Sequence, residues 1–189
     1  ETFDRYQHDP HDPKSISNDY VRNVMQDQAG HLWIATVGGL NRLDRASGTF
    51  THYRYDPANP TSISTDNLSR VFEDRAGGLW VTSFEGVNYC SPKHQRFRHY
   101  RHEPGNTNSL DDSNVRAIYE DATGTLWIGT VKGLNKFDRA RGQVTRYQHD
   151  PFDQRSISAD GVITVYGDGD GILWVGTYGG GLNRFDPNS

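Results

Sequence analysis

Cysteine is all but missing from this 189-residue sequence: Cys90 stands alone, which excludes an internal disulfide. Long apolar runs are missing too. No stretch approaches the roughly 18 consecutive apolar residues that a membrane-spanning helix needs, and no signal-peptide pattern opens the chain. The sequence starts inside a repeat, as a piece excised from a longer protein would. Nor is there an excess of positive charge: 20 Lys and Arg face 24 Asp and Glu, the formal net charge is −4, and both signs are scattered. Without a basic stripe, the sequence argues against duplex nucleic acid as a partner. Hydrophobic residues reach only 33%, while glycine (20) and aromatics (12%) are plentiful. That mix suits short strands joined by tight turns, with Tyr, Trp and Phe supplying most of the buried area.

What is present is repetition. The four tryptophans, Trp33, Trp80, Trp127 and Trp174, are spaced 47 residues apart. An interval of that length marks one supersecondary unit copied in series. Each unit opens on an alternating, Tyr-ended run (Phe3–Tyr6, Phe50–Tyr53, Phe97–Tyr100, Val144–Tyr147), closed by an acid and a proline, which ends a strand. A polar loop comes next with one aliphatic each, Ile16, Ile63, Leu110 and Ile157, placed to plug the gap between neighbouring units. After it runs an apolar strand carrying Val21 and Val24, Leu68 and Val71, Val115 and Ile118, Val162 and Val165.

The most regular stretch is an Asp-x-x-Gly-x-Leu-Trp turn. Its acids are Asp27, Asp74, Asp121 and Asp168, and its glycines are Gly30, Gly77, Gly124 and Gly171. Glycine permits the positive φ of a tight hairpin, and the aspartate can satisfy the turn's backbone donors. With the two strands that flank the bend after tryptophan, each unit holds four antiparallel strands and no helical period. One four-stranded sheet per repeat is a propeller blade.

The expected fold is therefore all-β, a propeller of four 47-residue blades spanning residues 1–189 as a single domain. The register places Glu1 where a residue after Ser189 would belong. The strand 3–9 is accordingly expected to latch onto the blade containing Trp174. Uncapped blades expose apolar faces, so two closures stand open: a four-blade ring, or half of an eight-blade ring made by two chains as a homodimer. A fragment of a larger ring is the third possibility.

The signature Glu120-Asp121-Ala-Thr-Gly124-Thr-Leu126-Trp127-Ile128-Gly129-Thr130, continued by Gly133-Leu134-Asn135-Lys136-Phe137-Asp138, resembles the two-component regulator propeller repeat. All four units share it, and the second departs most, with Val81-Thr82-Ser83 and Gly86-Val87-Asn88-Tyr89-Cys90. The resemblance implies the extracytoplasmic (periplasmic) sensor region of a bacterial regulator with a histidine kinase, hybrid two-component or diguanylate cyclase output module. It also implies an oligosaccharide as the class of ligand.

No residues are assigned to catalysis, to a metal or to a cofactor, and the chain is read as a non-enzyme. His8, His102 and His149 share one repeat position, and His52 and His99 another, as scaffold residues do. Gly167-Asp168-Gly169-Asp170-Gly171 looks like an acidic ion loop but occupies the hairpin position of every other unit. The tryptophans, with the turn aspartates and glycines, read as structural pillars. Binding residues are expected where the repeats disagree: Tyr20 before the innermost strand, Arg22, Arg70 and Arg116 on it, and Phe84, Glu85, Lys132 and Tyr178 on the bends. Aromatic, Arg and Glu side chains on one mouth would suit a sugar or an anionic oligosaccharide. A structural propeller that docks proteins is the alternative, and a propeller-scaffold lyase or glycosidase a further one.

Overall fold

The computed structural model describes residues 2–94 and 96–187. Glu1 and Ser189, on which the register of closure was counted, lie outside them. Fifteen strands and no helix are described. The first sheet is β1 (Val21–Gln26), β2 (Leu32–Thr36), β3 (Gly39–Asp44) and β4 (Thr49–Tyr53). The second is β5 (Leu68–Glu73), β6 (Leu79–Ser83), β7 (Gly86–Cys90) and β8 (Phe97–Tyr100), and the third is β9 (Val115–Glu120), β10 (Leu126–Thr130), β11 (Leu134–Asp138) and β12 (Gln143–Tyr147). The last holds β13 (Val162–Gly167), β14 (Leu173–Thr177) and β15 (Gly181–Phe185). Strands keep chain order in every sheet, as in antiparallel meanders. The chain divides into two compact units, one of Glu1–Ser83 with Asn88–His99 and the other of Phe84–Val87 with Tyr100–Ser189.

The Asp-x-x-Gly turn makes each first hairpin. Gly30, Gly77, Gly124 and Gly171 take φ of +87, +78, +83 and +80°, a region costly for any residue with a Cβ. One oxygen of the aspartate accepts backbone N–H groups two and four residues on, as Asp121 does from Thr123 and Thr125. The other accepts the indole N–H of the blade's tryptophan, at 2.8 Å for Trp33, Trp80 and Trp127 and 2.9 Å for Trp174. Burial pushes the carboxyls of Asp27 and Asp121 up, but these donors outweigh it and hold both below the usual carboxylate range. In Asp168 the Trp174 indole is the main cause of the same lowering.

In the first unit, Trp33 packs with Ile63, Leu68, Val71 and Val81, so it fills the space between adjacent sheets, and Ile63 is the plug expected there. In the second unit Trp127 does the same with Val162, Val165 and Leu173. Trp174 differs from the other three in being only partly buried.

A second fastening is polar, and in the first three blades its asparagine is buried. Asn41 accepts the Ser17 N–H at 2.8 Å and donates to the Ser17 hydroxyl and the Ile34 carbonyl. Asn88, Asn135 and Asn183 accept from Ser64, Asp111 and Ser158 in the same way. Each asparagine thus ties the polar loop to the middle of its own sheet.

Outer strands are held on the loop as well. The Phe50 N–H donates to the Lys14 carbonyl at 2.8 Å, and the Phe97 N–H to that of Thr61 at 2.9 Å. Phe3–Asp9 has the outer-strand pattern but forms no strand, and Phe3 is 93% exposed. Tyr6 nonetheless sets its ring edge against Phe50 at 5.6 Å, as Tyr53 does against Phe97 at 6.4 Å.

Candidate functional site

Sequence variation singles out the innermost strands, and the structure gives that variation a geometric cause. Every innermost strand carries a β-bulge, and the extra residue is Arg22, Ser69, Arg116 or Ile163 in turn. A bulged residue is left out of the ladder and its side chain is re-aimed. The ladder therefore places no demand on the residue type at these four positions.

In the first unit, two of the predicted residues come together. The Arg22 guanidinium lies 5.7 Å from the centroid of the Tyr20 ring, a cation–π distance, and also donates to the Leu68 carbonyl at 3.3 Å. Tyr20 is 65% exposed, and its carbonyl accepts the N–H of Val37 on the bend after β2. The residue before the innermost strand and the bend thus share one end of the blade. Arg70 is exposed on β5, its N–H held by the Thr82 hydroxyl at 3.1 Å.

In the second unit the same backbone pairing recurs. The Tyr178 N–H donates to the Gly161 carbonyl at 2.7 Å, and the Tyr178 side chain is 76% exposed. Lys132 reaches the Asp112 carboxylate at 3.2 Å, a surface ion pair worth little by itself. Arg116 occupies its bulge, and Phe84 and Glu85 are exposed on the bend that precedes β7. Tyr20 with Arg22 and Lys132 with Asp112 are local pairs, each inside its own unit.

Three clefts lie elsewhere, and none of the eight residues lines them. One, of about 390 Å³, is in the first unit beside the Asp27 turn, bordered by Gln28, Trp33, Arg42, Glu73 and Phe97. Another, of about 530 Å³, is bordered by Tyr89, His94, Arg96 and Arg98. The third, of about 450 Å³, is in the second unit between β12, the loop after it and β15.

Five of the eight histidines are fasteners. His8, His102 and His149 place Nδ1 2.8–2.9 Å from the carbonyls of Ile16, Leu110 and Ile157. His52 and His99 place Nε2 2.7 and 2.8 Å from those of Ser15 and Ser62, a role taken by the Arg146 guanidinium in the third blade. A carbonyl only accepts, so each of these ring nitrogens carries its proton. The acidic loop around Asp168 is the hairpin turn of its blade, with Asp168 accepting from Asp170, Ile172 and Trp174.

Reading the sequence missed the asparagine fastening, although Asn41, Asn88, Asn135 and Asn183 recur in register. It also missed Asp111, which replaces the serine of the other three blades. Asp111 accepts from Thr130 and Asn135 through Oδ1, while its buried Oδ2 has no partner among the described residues.

The model of the two component regulator propeller family matches residues 15–38, 109–132 and 156–179. No curated protein matches. Among solved structures, the extracellular domain of a hybrid two component system of B. thetaiotaomicron is 28% identical, with a TM-score of 0.80 over 92% of this chain and 24% of that one. A second such domain from that organism is 27% identical, with a TM-score of 0.74 over the same shares. This chain thus spans about a quarter of the length of these relatives. The virginiamycin B lyase of Staphylococcus aureus, at 15% identity and a TM-score of 0.60 over 88% of this chain and 55% of that one, shares the fold alone. The family model thus falls in register on three of the four units, and the fold is that of the propellers to which the chain is similar.

Proposed function

We propose that this chain is a ligand-recognising part of the extracytoplasmic sensor propeller of a bacterial two-component regulator, without catalytic activity of its own. The observation that carries the reading is the likeness to extracellular domains of hybrid two component systems over 92% of the chain. An output module in the parent protein would receive the signal. A ligand shifts such a receptor only if it binds two states of it unequally.

The ligand class that suits the exposed residues is an oligosaccharide. Tyr20 and Tyr178 offer apolar ring faces at the same end of their blades, and Arg22 and Arg116 offer charge-assisted donors from bulges. Titration of the chain with neutral and acidic oligosaccharides by calorimetry tests this. Tyr20→Ala and Tyr178→Ala are expected to lower affinity at least about tenfold, the equivalent of 1.4 kcal/mol. Their melting temperatures should stay unchanged, because exposed substitutions away from packing usually shift stability by less than about 0.5 kcal/mol. Absence of binding across the panel, or equal affinity of both variants and wild type, overturns the ligand assignment.

One observation favours a second reading, a face that docks protein. Tyr20, Phe84 and Tyr178 are large apolar side chains 65, 40 and 76% exposed, and exposed apolar groups are what a protein contact surface offers. The same variants would then weaken capture of the receptor's own remaining domains instead of a sugar.

A further inference from the structure

The cleft of about 530 Å³ belongs to the first unit and to the second blade, where the chain turns from β7 into the outer strand β8. Two arginines border it, Arg96 just before β8 and Arg98 within it, together with Ser91, His94 and the Tyr89 ring. Residues two apart on a strand share a face and lie about 6.6 Å from one another, so both guanidiniums serve the same cleft. Both arginines are exposed, and neither enters an ion pair among the described residues. None of the described residues on the border is an acid.

Comparison with the first and third blades shows what is particular to this edge. In place of Arg96 and Arg98 they carry Thr49 with Thr51 and Gln143 with Thr145. Each of them also sets an aspartate opposite the earlier of the two, Asp44 facing Thr49 and Asp138 facing Gln143. In the second blade that aspartate is Ser91. Asp44 and Asp138 each accept two N–H groups of the turn, while the Ser91 hydroxyl accepts one, from Lys93 at 3.3 Å. The tryptophans are served differently as well. Arg42 lies 5.9 Å from the Trp33 ring centroid and Lys136 lies 5.5 Å from that of Trp127, each from the third strand of its sheet. The second blade has Tyr89 there, its ring 4.4 Å from Trp80. Its cations thus sit one strand further out, off the tryptophan, at an edge where the other two blades hold an acid.

We propose that this cleft binds a phosphomonoester group. Two guanidiniums without a counter-charge match the charge of such a group, about −1.5 to −2 near pH 7. Their planar forks meet phosphate oxygens in pairs. A tetrahedral group takes donors from several directions, which the Ser91 hydroxyl and the His94 ring add to, whereas a carboxylate offers two coplanar oxygens. The site is at the opposite edge of its sheet from the innermost strand β5, so it stands independently of an oligosaccharide at Tyr20 and Tyr178.

Calorimetric titration of the full chain with inorganic phosphate, at low salt and near neutral pH, tests this. Saturable binding is expected, with acetate at least about tenfold weaker. Arg96→Gln and Arg98→Gln should each weaken phosphate binding at least about tenfold. Ser91→Asp should do the same, because it returns the acid of the other blades to the cleft. That variant also regains a second acceptor for the turn, so its melting temperature should hold, which separates lost binding from lost folding. Arg45→Gln removes an equal charge from the matching turn of the first blade, where Arg45 is exposed, and should leave the affinity unchanged. Equal weakening by Arg45→Gln means diffuse attraction and overturns the site, and acetate binding as tightly as phosphate overturns the ligand class. Phosphatidylcholine vesicles with and without phosphatidic acid distinguish the source of the group. Sedimentation only with phosphatidic acid, lost in Arg98→Gln, assigns a lipid headgroup; phosphate binding without sedimentation assigns a free phosphomonoester. Absence of binding to both phosphate and vesicles overturns the proposal.

Discussion

Replacing Trp127 by alanine tests the pillar reading most sharply, because the same change at Trp174 supplies an internal control. Trp127 is fully buried among Ala117, Leu134, Val162 and Val165, with Tyr147 and Phe185 rings at 6.0 and 5.7 Å. A buried aromatic removes about 150–250 Å² from water. At about 25 cal/mol per Å² this gives ~4–6 kcal/mol as an upper bound, and measured Trp→Ala losses in cores run about 3–5 kcal/mol. Trp127→Ala also leaves Asp121 Oδ2 without the indole donor it holds at 2.8 Å. Trp127→Phe keeps most of the apolar area and isolates that hydrogen bond, at about 1–3 kcal/mol. Trp174 is only partly buried, so its removal should cost less. Urea unfolding monitored by far-ultraviolet circular dichroism reads all three, with the slope checked for constancy, since repeat arrays can lose two-state behaviour. Stability is expected to rise in the order Trp127→Ala, Trp174→Ala, wild type. A Trp127→Ala loss below about 0.5 kcal/mol, the range of exposed substitutions, or an equal loss at Trp174, would contradict the burial on which the ranking rests.

The turn and loop geometry carries three more expectations. Asp111→Ser restores the serine of the other blades and removes a buried, partnerless oxygen, so stability should hold or rise by about 1–3 kcal/mol; a melting temperature lowered by several degrees would count against that account. Gly124→Ala places a Cβ at φ +83° with nothing nearer than 3.7 Å, so the cost is backbone strain alone, about 1–2 kcal/mol, read by the same denaturation. Asp121 has its carboxyl held low, so the stability it contributes is present above the unfolded value near 3.9 and lost as pH falls through the folded one. Melting curves from pH 7 to pH 2.5 should therefore show wild type losing more below about pH 4 than Asp121→Asn does; parallel curves would remove the carboxylate from the account.

The interval between tryptophans was enough to give the blade, because a strand meander with turn residues at fixed offsets has few other ways to bury one large aromatic per unit. Gly30 and its equivalents announced positive φ, and the turn aspartates announced their role as acceptors. The indole as the second donor was not legible, since it depends on how the side chains meet across a hairpin. The bulges were visible only as disagreement among Arg22, Ser69, Arg116 and Ile163. A string of residues does not reveal which of two strands carries the extra one. The polar fastening by Asn41 was hidden for a different reason: an asparagine in a strand reads as solvent-facing until tertiary burial places a loop on top of it. The pairing of Tyr20 with Arg22 likewise needed the third dimension.

The bulge at the start of each blade has a consequence for how such a repeat array changes over time. A residue outside the ladder can be exchanged without breaking a backbone pair, so variation there and selection on folding act on different positions. The array can be altered one blade at a time, and a randomised library confined to four sites would vary its surface while the scaffold stays intact.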